Sequence, residues 1–168
     1  MIFRISKEKA TSWRVAFAYT GRQLEACVLP ETIQSPLLGL QRELMVLNTA
    51  NFVSAKSEPQ AMFIAGLLNS LPVRTFVQGF AKPKNFPYLG FNAWHIGILP
   101  VPRFDKSNAL HLEIAEASRE AHKGSLDSEK IDSLASQIYQ INAKELACLR
   151  DTFNMLRGRA NSPTVQSQ

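Results

Sequence analysis

Cysteine is scarce in this 168-residue chain: Cys27 and Cys148 are the whole supply, and neither belongs to a Cys-x-x-Cys pair. That spacing supports neither a zinc site nor a redox couple. A disulfide between them is unneeded in a chain of this length in a reducing compartment. No stretch of roughly 18 apolar residues, the length of a membrane span, interrupts the sequence. The start, Met1-Ile2-Phe3-Arg4-Ile5-Ser6-Lys7-Glu8, lacks the continuous apolar core of a secretory signal. These absences set the expectation of a cytoplasmic protein without membrane contact.

Catalytic signatures are equally sparse. The eight glycines, at 21, 39, 66, 79, 90, 97, 124 and 158, never form a GxGxxG or GxxxxGK[ST] loop for phosphates. No GxSxG elbow occurs. His111 and His122 lie on one expected helix but about three turns apart, at 5.4 Å per turn, too far for one metal ion. His95 stands beside Trp94 with no acid–base partner in sight. Glu113 and Glu116 sit with Arg119 and Glu120 on what reads as a solvated helical face.

What the chain does have is an ordinary apolar content, 45% hydrophobic, and a net charge of +5. The length suits one domain of roughly 100–200 residues. The charge is unevenly spread. Residues 1–110 hold 12 Lys and Arg against 6 Asp and Glu, whereas 111–168 hold 7 against 8. Between Phe52 and Phe104 the bases are Lys56, Arg74, Lys82, Lys84 and Arg103, with Glu58 the only acid. An excess gathered in one region suits a polyanion, because neutralised phosphates release counterions; a mildly basic surface is the plainer reading.

Apolar periodicity predicts an α+β fold. Trp13, Val15 and Phe17 alternate with Arg14, marking a strand over 12–18. After the turn Thr20-Gly21-Arg22, Leu24 to Leu29 continues as its hairpin partner, with Arg14 and Arg22 close together on the polar side. Glu31 to Leu40 reads as a loop and Leu44 to Leu47 as a buried strand. Ser57, Glu58 and Pro59 open a helix carrying Met62, Phe63, Gly66, Leu67 and Ser70 on one face, stopped by Leu71-Pro72. Val73 to Val77 has strand character, Gly79 to Phe91 is loop, and Asn92 to Leu99 is a last strand.

Past Pro102 the pattern becomes helical. Leu110, Ile114, Ala117 and Ala121 form one stripe ending at Gly124. Asp127 or Ser128 begins a second helix with Ile131, Leu134, Ala135 and Ile138. Asn142 and Glu145 compose a capping box ahead of a third with Leu146, Leu149 and Phe153. The organisation expected is a basic α/β part over 1–104 with a small mixed sheet, a helical part of about three helices over 105–157, and a tail over 158–168.

Several segments, in order, resemble a known family. Trp13-Arg14-Val15-Ala16-Phe17 through Thr20-Gly21-Arg22 to Val28-Leu29-Pro30 is similar to its Arg-Val-x-Phe-Arg strand, turn and Leu-Pro strand end, although Ala18 stands where Arg is common. Ala65-Gly66-Leu67-Leu68-Asn69-Ser70 resembles its Ala-Leu-Leu-Asn-Ser helix end, and Ile98-Leu99-Pro100-Val101-Pro102 its Leu-Pro-Ile-Pro turn. Asn108 to His122, and Ile138-Tyr139-Gln140-Ile141-Asn142 with Glu145, resemble its closing helices. The family is the C-terminal target-recognition region of adenine-specific DNA methyltransferases from bacterial restriction–modification and phage-defence systems.

The resemblance covers about residues 12–155 and implies a DNA sequence-recognition module. It also implies that the domain binding S-adenosylmethionine precedes residue 1 or lies on another polypeptide, so no cofactor is expected in this chain. Asn85-Phe86-Pro87-Tyr88 is close to the Asn-Pro-Pro-Tyr catalytic loop of adenine-N6 methylases, but Phe86 replaces a proline and no cofactor-binding motif precedes it. It therefore reads as a proline-punctuated loop. A stand-alone enzyme built on it ranks last.

The expected partners are double-stranded DNA and a methyltransferase catalytic subunit. The residue types suited to phosphates and base edges are Arg14, Arg22, Lys56, Arg74, Lys82, Lys84, Asn85, Asn92, His95 and Arg103. Arg14 and Arg22 have an alternative, pairing with Glu25. The rival function is a helical interaction subunit that docks a methylase or nuclease through Leu110, Ile114, Ile131, Leu134, Ile138, Leu146 and Leu149, without touching DNA.

Overall fold

The computed structural model describes residues 13–30, 32–34, 39–43, 50–84, 88–92, 97–99, 101–125 and 127–160. The fold is α+β. Strand β1 (Trp13–Ala18) lies between β3 (Ala26–Leu29) and β6 (Ala50–Ala55), antiparallel to both. Alternation along β1 sets the faces: Val15 and Phe17 are fully buried and share one side with their cross-strand partners Val28, Ala26 and Val53. Between these strands lie β2 (Thr20–Gly21) and the pair β4 (Thr32–Gln34) and β5 (Gln41–Glu43). The loop expected over Glu31–Leu40 thus contains a strand. Leu44 to Leu47 lies outside the described residues.

Helix α1 (Glu58–Asn69) covers the inner face of this sheet, touching β1, β3 and β6. Ser57 caps it, its Oγ accepting the Gln60 N–H at 3.4 Å, and Pro59 occupies the first turn as expected. On its other side α1 packs on α3 (Ala109–His122). The two approach closely at Gly66, where an added Cβ would stand 2.8 Å from Ile114 Cγ2.

The strand expected over Val73–Val77 is instead the middle of helix α2 (Leu71–Phe80). Ser70 ends α1, its Oγ donating to Leu67 O at 2.7 Å, and α2 starts at the next residue. Pro72 therefore opens a helix rather than merely stopping one, since a first-turn residue needs no N–H partner. The acceptor for the Leu71 N–H is Asp132 Oδ1 at 2.7 Å, from 61 residues away. Val73 and Val77 are buried one helical turn apart, and Thr75 donates its hydroxyl to Leu71 O at 2.8 Å. Burial on three alternate residues imitates a strand.

The C-terminal helices follow their local signals. Asn108 caps α3, and Gly124 adopts φ +98° just beyond its end. Asp127 caps α4 (Ser128–Ile138), accepting from the Lys130 N–H at 3.0 Å. Before α5 (Ala143–Ala160), Asn142 Oδ1 accepts the Glu145 N–H at 3.0 Å while Glu145 Oε2 accepts the Asn142 N–H at 2.8 Å. The helix continues past Gly158 to Ala160.

Residues on both sides of position 104 share one hydrophobic core, with Phe17 and Val28 from the sheet, Phe63 and Leu67 from α1, Ile114 from α3, and Ile131 and Leu134 from α4. Leu110 and Ile138 pack against it. Most of the side chains offered to a docking partner are therefore spent internally. Cys27 and Cys148 are exposed and unbridged. Among the described residues no helix is long and apolar enough to cross a membrane.

Candidate nucleic-acid interface

Three short strands build the site. β8 (Leu89–Gly90) lies between β2 and β7 (Lys82–Pro83), with Gly90 opposite Thr20 and Lys82, and Leu89 opposite Gly21 and Pro83. Part of the expected loop 79–91 is thus a ladder. Its register carries Arg22, Tyr88 and Lys84 to the same end, and the Lys84 N–H donates to Tyr88 O at 2.9 Å. The ladder is tied to the main sheet where the Phe91 N–H donates to Tyr19 O at 2.7 Å and Asn51 Nδ2 to Phe91 O at 3.2 Å.

Tyr19, Thr20, Lys84 and Tyr88 line a cleft of about 360 Å³. The Lys84 ammonium stands 5.4 Å from the centroid of the Tyr19 ring. Its stem lies across Gly90, where a Cβ would meet Lys84 Cε at 2.8 Å. Tyr88, 46% exposed, presents a second ring. An ammonium held by an aromatic face, beside a hydroxyl and another open ring, can contact a phosphate while the rings pack on a sugar or base.

The sequence candidates divide. Arg22, Lys82 and Lys84 are exposed around this ladder. Arg14 is not close to Arg22, contrary to the hairpin expectation. It is the second residue of β1, opposite Leu29, and four strand steps to Ala18 alone span about 13 Å. Arg14 lies on the sheet face away from α1, its guanidinium 5.9 Å from the Phe52 ring centroid. Lys56 is exposed at the same end of the sheet, and Arg103 is exposed on the segment leading to α3. Asn92 is half-buried just after β8. Asn85 and His95 lie outside the described residues, as do Ala93 to Ile96 of the expected last strand, whose end is helical at Gly97 and turns through Ile98 and Leu99 instead of extending.

Arg74 is turned inward. Its Nε donates to Leu24 O at 3.0 Å and its Nη2 to Asn69 Oδ1 at 3.3 Å, and burial lowers the guanidinium's proton affinity while Glu25 and Asp132 oppose that shift. Glu25 accepts from Gln23 Nε2 at 2.8 Å, so the ion pair considered for Arg14 or Arg22 has a neutral competitor.

The two helical histidines serve the fold. His111 is buried between Phe63 and Phe104, with ring centroids at 4.5 and 6.2 Å, and its Nδ1 accepts the Asp105 N–H at 3.0 Å. His122 Nε2 accepts the Val28 N–H at 2.9 Å, which leaves the ring proton on Nδ1 to meet Ser118 O at 2.7 Å. No group of three or more His, Cys, Asp or Glu side chains could hold a metal ion among the described residues. The passage from β6 into α1, Lys56-Ser57-Glu58-Pro59, contains no glycine, and the Glu58 carboxylate is taken by Arg119 at 2.7 Å.

Tyr19 and Thr20 escaped the sequence reading as site residues. Tyr19 meets Lys84 across 65 positions, a contact no local pattern announces. No protein-family model, curated protein or solved structure matches the chain.

Proposed function

We propose that this chain is the DNA-recognition module of an adenine-specific methyltransferase system, with methyl transfer from S-adenosylmethionine carried out by another domain or polypeptide. The observation that supports it is the cleft, where the Lys84 ammonium, the Tyr19 and Tyr88 rings and Thr20 converge beside Arg22 and Lys82. Cations fix the backbone of a duplex and polar or aromatic groups test what lies between. The ordered resemblance of residues 12–155 to target-recognition regions supplies the rest. Its competitor, a docking subunit, loses ground because Ile114, Ile131 and Leu134 are buried in the chain's own core.

The test is a fluorescence-anisotropy titration of duplex DNA at several salt concentrations. Affinity falls steeply with salt, and replacing Lys82 and Lys84 together by Ala flattens the slope by about 2, close to one unit for each phosphate no longer neutralised. Binding that ignores salt, or an unchanged slope in a folded double variant, would overturn the reading.

A further inference from the structure

The two edges of the main sheet are treated differently. On β3 the groups that point away from β1 belong to Ala26 and Val28. Asn69 takes both of Ala26's groups, its Nδ2 donating to Ala26 O at 2.7 Å and its Oδ1 accepting the Ala26 N–H at 2.9 Å. His122 takes the Val28 N–H. This edge is sealed by side chains, one of the ways a fold protects an exposed strand.

Parity then fixes the other edge. If Ala26 and Val28 face outward, Cys27 and Leu29 bond to Ala16 and Arg14, and Trp13, Val15 and Phe17 turn toward β6. Their partners there are Ala55, Val53 and Asn51, so Ala50, Phe52 and Ser54 direct their N–H and C=O groups away from the sheet. Among the described residues nothing bonds to these groups. The strand itself, Ala-Asn-Phe-Val-Ser-Ala, has no lysine, proline or acid to discourage pairing. Phe52 is 47% exposed on it.

We propose that β6 pairs antiparallel with β6 of a second copy of this chain, joining the two three-stranded sheets into one of six strands. A two-fold axis at Phe52 sets Phe52 opposite itself and Ala50 opposite Ser54, so no like charges confront each other across the seam. The strand carries no charge of its own and is complementary to itself, and the cation on its exposed face, the Arg14 guanidinium over the Phe52 ring, belongs to β1, one strand in from the seam. A strand pair alone falls below or near the low end of the ~1,200–2,000 Å² of a lasting interface, so the dimer dissociates on dilution.

Sedimentation velocity on the full chain from about 1 to about 100 µM tests this, the span over which a weak interface of that size associates. The wild type moves from monomer toward dimer, more readily at high salt as the +5 charges are screened. Ser54→Pro removes an outward N–H without touching the β1 ladder, and Phe52→Lys sets two cations face to face. Each variant that melts cooperatively remains a monomer throughout. A wild type that stays monomeric at the highest concentration, or folded variants that associate as it does, overturns the proposal.

Discussion

Asn69, the last residue of α1, holds Ala26 of β3 as a neighbouring strand would, donating to its carbonyl and accepting from its N–H at 2.7 and 2.9 Å. The same Oδ1 receives Arg74 Nη2 at 3.3 Å, so one carboxamide ties α1, α2 and the sheet edge together. Asn69→Ala strands both groups of a buried residue and costs about 2–3 kcal/mol in urea denaturation, near the penalty for an unsatisfied buried group. Asn69→Asp keeps the acceptor and recovers only part of that loss.

Glu58 and Arg119 form a two-pronged pair across the seam of α1 and α3, with both contacts at 2.7 Å, and Glu116 adds a third contact to Arg119. The hydrogen bonds from Arg119 hold the Glu58 carboxyl below the usual range. A lowered folded-state value stabilises the protein above the unfolded carboxyl value of about 4.3, and that contribution is lost as pH falls through the lowered one. Glu58→Gln therefore costs about 1 kcal/mol at pH 7, and the gap to the wild type closes below about pH 4. Thermal melts of both proteins between pH 3 and 7 check it, over the range that brackets ordinary carboxyl titration; a gap constant down to the lowest pH contradicts it.

Gly66 lets α1 and α3 touch. A methyl there would meet Ile114 Cγ2 at 2.8 Å, with Ile114 O and Ser118 Cβ both at 3.3 Å. Because Ile114 is fully buried, it has nowhere to yield. Gly66→Ala lowers stability by about 1–3 kcal/mol despite the better helix propensity of alanine, read by chemical denaturation.

Gly90 offers the opposite case. The atom its added methyl would strike is Cε of the flexible Lys84 side chain. Gly90→Ala changes stability by no more than about 0.5 kcal/mol. It pushes Lys84 out of the cleft, so duplex affinity falls roughly fivefold at moderate salt, as when a single phosphate goes unneutralised. Equal DNA binding with a shifted Lys84 would remove that residue from the interface.

Residues that act on near neighbours were open to reading. Ser57, Asp127, and Asn142 with Glu145 all cap the helices they were expected to cap, because an acceptor and its N–H lie within three residues. The β1–β3 hairpin followed from alternation and a turn. Helix α2 did not, because its cap comes from Asp132 and its apolar residues sit two apart as well as four. Of the ten recognition candidates, the sequence could rank none, since exposure is a property of packing: Arg74 faces inward while Lys84 lies beside Tyr19.

Composition, charge distribution and periodicity by themselves determined an α+β chain with a basic first two-thirds and a helical end. Each depends on interactions within a few residues, where spacing alone selects partners. Which basic groups share a surface, and which sheet edge is sealed by side chains, was decided only by tertiary structure. Both depend on contacts such as Lys84 with Tyr19 and His122 with Val28, whose partners are 65 and 94 positions apart and meet only once the core has closed.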